Sequence, residues 1–149
     1  MQQAVSARSP AHLWIVGILA LLWNAFGCVD YVMSRMHNAG YLKAMMPDVD
    51  PATVYGFMDS MPLYASAGWG LGVWGGLLGT VLLLLRSRYA VHAYVVSLIG
   101  MVLSFGWQLF VAANVPAGMD SPVIPAVIFV IGLFLLGYAR SMENRGALR

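Results

Sequence analysis

One carboxylate lies inside an otherwise apolar run. Asp30 belongs to Leu13–Met33, LWIVGILALLWNAFGCVDYVM, a stretch long enough to cross a bilayer. A charged side chain in a spanning helix costs roughly 2.5–3.5 kcal/mol on insertion scales, so it is expected to have a partner or a use. Counting places an amide at the same depth. Asp30 follows Leu13 by as many residues as Gln108 follows Val91, and at ~1.5 Å per residue both stand roughly 25 Å along their helices. Tyr31, Tyr64, Trp69 and Trp107 fall in or near that layer, with Asn24 closer to the middle. Amides and a carboxylate beside indole faces suit a polyol or a cation, since a sugar needs hydrogen bonds at its rim and an apolar platform beneath. A carboxyl buried there would also be a candidate proton carrier. The competing reading is structural: the same groups bond one another and fix the packing of the helices.

Other chemistry finds little support. No nucleophile–base pair, phosphate-cradling glycine loop or histidine–carboxylate motif occurs, so the expectation is a protein that is not an enzyme, without cofactor or metal. His12 and His92 lie near one membrane edge and His37 near the other, a placement that suits solvated side chains better than a bis-histidine site. The single cysteine, Cys28, excludes an internal disulfide. Ala25-Phe26-Gly27-Cys28 faintly resembles a lipoprotein cleavage box, but the charged segment before it is thin and Asn24 interrupts the apolar run, so a retained helix is expected.

The elements that position these residues follow from composition. Hydrophobic residues make up 60% of the 149 and charged residues only 9%, against about a quarter in soluble domains. The mean hydropathy of +0.77 agrees. The chain is therefore read as an integral membrane protein, all-α, a single four-helix bundle whose spans cover about 13–35, 62–85, 90–114 and 122–139. The lipid bilayer is its first partner, and its charge of +2 sits in the connections, which argues against nucleic acid.

In the second span Gly68, Gly72 and Gly76 recur every four residues, with Gly75 and Gly79 one step over, opening a face that another backbone can approach closely. That face could pack inside the bundle, join copies into a homo-oligomer, or dock on a larger membrane complex. In the third span Ser97, Gly100, Ser104 and Gln108 form one stripe expected to face protein. The fourth span reads as the most lipid-exposed, with Pro125 tolerated in its first turn. In the long connection, Asp50-Pro51 gives a cap and a first-turn proline, so residues 51–59 are expected to form a short amphipathic helix at the interface; Tyr41, Leu42, Met45 and Met46 suggest a similar turn before it.

Orientation follows from the basic residues. Arg8, Arg86, Arg88, Arg140, Arg145 and Arg149 share one side, six of the eight Lys and Arg, while Arg35 and Lys43 share the other with Asp48, Asp50, Asp59 and Asp120. Both termini are thus expected in the cytoplasm.

Leu22-Trp23-Asn24-Ala25-Phe26-Gly27 with Asp30-Tyr31, Gly72-Val73-Trp74-Gly75-Gly76-Leu77-Leu78-Gly79, and Ser97-Leu98-Ile99-Gly100-Met101 are similar to stretches of a family of small four-span bacterial inner-membrane proteins, uncharacterised and often labelled sugar transporters. The resemblance covers nearly the whole chain and implies transport, without binding residues to carry over. Two functions are expected to compete: transport or binding of a sugar or other small polar solute through the outer polar layer, and an accessory or assembly role in a larger complex without transport.

Overall fold

The computed structural model describes residues 10–149; Arg8, counted above among the basic residues, lies outside them. The chain is all-helical: α1 (Ala11–Arg35), α2 (Ala39–Met45), α3 (Pro51–Asp59), α4 (Leu63–Leu84), α5 (Tyr89–Phe110) and α6 (Val123–Asn144). The four long helices are each long and apolar enough to cross a membrane. α4 is central, packed between α1 and α5, and α6 docks on α5.

Helix ends explain where α5 and α6 depart from the expected bounds. α1, α4 and α6 all close with paired backbone bonds across a left-handed residue. At α1, the His37 N–H donates to the Ser34 carbonyl and the Asn38 N–H to that of Met33, with His37 at φ 53°. At α4, Arg86 (φ 60°) donates to Leu83 and Ser87 to Leu82. Only α6 uses the residue that suits this geometry, Gly146 at φ 69°. α5 stops at Phe110, short of the expected 114, because Val111 and Ala112 both turn their N–H groups to the Trp107 carbonyl and Asn114 takes φ 56°. α6 runs past 139 to Asn144, since Ala139 and Met142 continue its buried face. Nor is α6 alone in its exposure to lipid: 22% of its apolar window is buried, as in α1, against 33% in α4 and α5.

The glycines of α4 set the closest contact. A Cβ on Gly68 would stand 2.7 Å from the Gly100 carbonyl oxygen, one on Gly75 3.2 Å from the Ser97 backbone, and one on Gly79 2.8 Å from the Tyr94 ring. Gly76 instead faces the Asn24 amide of α1 and the Ser97 hydroxyl. The close-approach face is therefore occupied by neighbours in the same chain.

At the basic end a core of Leu13, Leu83, Val91, Tyr94, Leu135, Ala139 and Met142 joins all four long helices. The segment after α6 completes it. Ala147 and Leu148 are buried there, the Arg149 N–H donates to the Arg86 carbonyl at 2.7 Å, and the Arg88 N–H donates to the Arg149 carbonyl at 2.9 Å. The Arg86 Nε–H donates to the Ala147 carbonyl at 2.9 Å, which helps hold its left-handed backbone.

At the opposite end α3 forms as expected. Asp50 accepts from the Thr53 N–H at 3.1 Å and Pro51 fills the first turn. Its apolar residues turn inward: Val54 and Tyr55 pack with Leu42 of α2, and Phe57 packs with Ala65 and Trp107. α3 is thus a cap on the end of the bundle.

Candidate functional site

The polar residues inside the spans gather at two levels. At the first, α1, α4 and α5 meet in a chain of hydrogen bonds. The Asn24 Nδ2 donates to the Ala20 carbonyl at 2.8 Å and to the Thr80 hydroxyl at 3.1 Å. Thr80, fully buried, shares a 2.8 Å bond with the Tyr94 hydroxyl and donates to the Gly76 carbonyl at 3.0 Å. Ser97, one turn along α5, donates to the Gly72 carbonyl at 2.5 Å. Each hydroxyl and amide nitrogen here is used in tying helices together or in turning back onto its own helix.

At the second level, toward the acidic end, the expected site residues are engaged separately. Asp30 accepts a 2.9 Å bond from the Tyr41 hydroxyl of α2. Gln108 donates from Nε2 to the Met119 carbonyl at 2.8 Å, pinning the α5–α6 connection. Trp107 stacks on Phe57 of α3 with centroids 5.2 Å apart. Tyr31 and Trp69 do come together, edge to face at 4.7 Å, with Trp74 edge to face on Tyr31 at 6.3 Å. Tyr64 is exposed at the start of α4. Of the seven, only Tyr31 and Trp69 make a direct contact with each other among these bonds and ring pairs.

The electrostatics of this end centre on α2 and α3. Burial, then the hydrogen bond to Asp30 and its charge, push the Tyr41 phenol up to about 12. Burial also pushes the Tyr55 phenol up, and its hydroxyl is the one buried side-chain polar atom without a partner among the described residues. The His37 ring lies against Tyr55 at 4.7 Å, and its Nε2 meets the Asp59 carboxylate at 3.1 Å, linking the end of α1 to the end of α3. At the other end His12 meets the Tyr138 hydroxyl at 2.5 Å and joins α1 to α6. Cys28 is a buried free thiol.

Thr80, Tyr94 and Tyr41 are the partners that sequence reasoning missed. For the first two a signal existed: Thr80 and Tyr94 stand equally far before and after Ser87, so an antiparallel hairpin must set them side by side. For Tyr41 the spacing of Tyr41, Leu42, Met45 and Met46 marked a turn, which is α2, but nothing in it showed that the phenol reaches back to Asp30.

Comparison with protein-family models, with curated proteins and with solved structures finds no match for this chain.

Proposed function

We propose that this chain is an accessory or assembly subunit of the bacterial inner membrane, with both termini cytoplasmic, whose own bundle carries no solute path. The observation that supports this best is the use of its intramembrane polar groups: Asn24, Thr80, Tyr94 and Ser97 are bonded to one another or to helix carbonyls, and Asp30 and Gln108 fasten connections. Side chains so engaged hold helices in register.

The partner surface in this reading is the outward face of α4. With α1 and α5 on its flanks and its glycines turned inward, α4 and the Leu85 that caps it leave a line exposed, Tyr64, Ala67, Leu71, Trp74, Leu78, Val81 and Leu85, with Leu63 beside its start. The intervals alternate between three and four residues, the spacing of a helix–helix seam. A membrane helix of a larger complex, or α4 of a second copy, would lie along it. Orientation rests on Arg86, Arg88, Arg140, Arg145 and Arg149 at one end against Arg35 and Lys43 at the other.

A photocrosslinking residue at Leu71 or Leu78 tests the seam, with Leu19 of α1, which is more exposed than either, as control. A discrete protein adduct from α4 but not from Leu19 is expected, and a dimer mass would identify a second copy. Lipid adducts alone from all three positions refute it. A fluorescent-protein fusion after Arg149 should be bright, as a cytoplasmic end requires.

A solute-binding role keeps one observation in its favour, the pairing of Tyr31 with Trp69 next to Asp30 in sequence. Uptake of a labelled monosaccharide by proteoliposomes, lost in Asp30→Asn and Gln108→Ala, would establish that role instead.

A further inference from the structure

α6 packs on α5 through Gly132, which sits against Leu98 and Met101, where an added Cβ would come within 2.9 Å of Leu98. Beside this contact lies a groove of about 320 Å³ whose walls include Val95, Ile99 and Val102 of α5 and Phe129, Leu133 and Leu136 of α6. A second groove of about 290 Å³ shares Val102 and Phe129 and continues the channel toward the acidic end.

The helical register fixes what stands at the other mouth. On α6 the wall residues 129, 133 and 136 lead at the next turn to Arg140; on α5 the residues 102, 99 and 95 lead to His92 and then Arg88. Arg140 lies ~6 Å beyond Leu136, and His92 ~4.5 Å beyond Val95. All three are exposed. The Arg88 guanidinium lies 5.6 Å over the Tyr89 ring, which in turn contacts His92 at 5.9 Å. Glu143, half-buried on α6, is the only acidic side chain of this end, and neither Arg88 nor Arg140 forms an ion pair among the described residues.

An apolar groove that opens onto two arginines and an imidazole has the polarity of a phospholipid with a negative headgroup. Its size favours a chain over a helix. A helix ~10 Å across fills roughly 400 Å³ per turn, so the two grooves of about 320 and 290 Å³ together hold less than two turns of one, although their walls run from Val95 to Phe110 along α5. We infer that the α5–α6 groove seats an acyl chain of an anionic phospholipid whose phosphate is held at Arg88, His92 and Arg140. The site lies on a different face from the α4 seam and does not depend on that reading.

Native mass spectrometry of the protein released from nanodiscs of equal phosphatidylglycerol and phosphatidylcholine tests this. Retained phosphatidylglycerol should exceed phosphatidylcholine about tenfold, and Arg88→Gln and Arg140→Gln should each cut the excess about fivefold. Arg145→Gln, off the stripe, should leave it unchanged. Val102→Trp, which fills the groove, should reduce retention of both lipids. Equal retention of the two lipids, an excess untouched by Arg88→Gln and Arg140→Gln, or an equal loss in Arg145→Gln overturns the site; so does displacement of the lipid by millimolar inorganic phosphate. Melting temperatures of the variants within a few degrees of the parent confirm that folding is not what changed.

Discussion

Glycine on glycine is the contact that holds α4 to α5, and it can be tested one methyl group at a time. Gly68→Ala places a Cβ 2.7 Å from the Gly100 carbonyl oxygen and 2.8 Å from the Leu103 Cβ, with the Ser104 nitrogen at 3.3 Å. Carbon contacts are comfortable at about 3.5–4.0 Å, so the helices must part by roughly 0.7 Å or more, and the atoms in the way are backbone or Cβ that no rotamer change can move. Overpacking of this kind costs about 1–3 kcal/mol. Replacing a helical glycine by alanine returns about 1 kcal/mol of propensity, which leaves a net loss of roughly 0–2 kcal/mol, toward the upper end where backbone atoms block the new methyl. Gly100→Ala should be worse, since its Cβ meets the Gly72 nitrogen at 2.6 Å and the Leu71 Cβ at 3.0 Å. Gly72→Ala should be near neutral, because its closest neighbour is the flexible Met101 side chain at 3.3 Å. Gly137→Ala on α6 meets nothing within 4 Å and should stabilise slightly. The assay is reversible unfolding in bicelles by steric trapping, with near-ultraviolet circular dichroism as a second probe. The expected order of stability is Gly137→Ala, parent, Gly72→Ala, Gly68→Ala, Gly100→Ala. Should Gly68→Ala prove as stable as Gly137→Ala, the close approach of α4 and α5 is wrong.

Thr80→Val removes the hydroxyl that bridges Asn24 to Tyr94, and should cost about 1–2 kcal/mol in the same unfolding assay, given ~0.6 kcal/mol for an average intramembrane hydrogen bond and a maximum near 1.7. In Asn24→Ala the added cost of Thr80→Val should shrink, because one of its bonds is already gone. The Tyr41 phenol is raised from 10.0 to about 12, so its bond to Asp30 contributes fully below pH 10 and fades as pH climbs through 12. Relative to Tyr41→Phe, the parent should therefore lose its extra stability between those values, read as the difference of two melting curves. Leu148→Asp should strip the segment after α6 from the α4–α5 turn, and limited trypsin digestion should then cut at Arg145, which the parent resists.

The four spans were legible because a bilayer demands length and hydrophobicity that little else produces. α3 was legible too, since Asp50-Pro51 announces a first turn and Phe57 continues its apolar face. The stripe of Ser97, Gly100 and Ser104 does face protein. Helix ends were harder. His37 and Arg86 take left-handed backbone without being glycine, so nothing in their chemistry marks a stop. The glycine face of α4 was readable as a packing face, but whether α5 or another chain fills it depends on tertiary register. The outer layer shows the same limit: counting residues gives Asp30 and Gln108 a common depth, while their bonding is decided by Tyr41 of α2 and by Met119, whose placement against the spans follows from the course of the connections and not from helical period.

The two ends of the molecule are not built alike. Eleven buried residues from α1, α4, α5, α6 and the segment beyond form a single mass at the arginine-rich end, whereas the aspartate-rich end relies on two small clusters of three, each borrowing from a short helix. Breathing motions should accordingly start where the clusters are small. Amide exchange ought to spread from α2 and α3 down the bundle axis, leaving the opposite rim as the last part to yield, like a purse whose clasp loosens long before its seam.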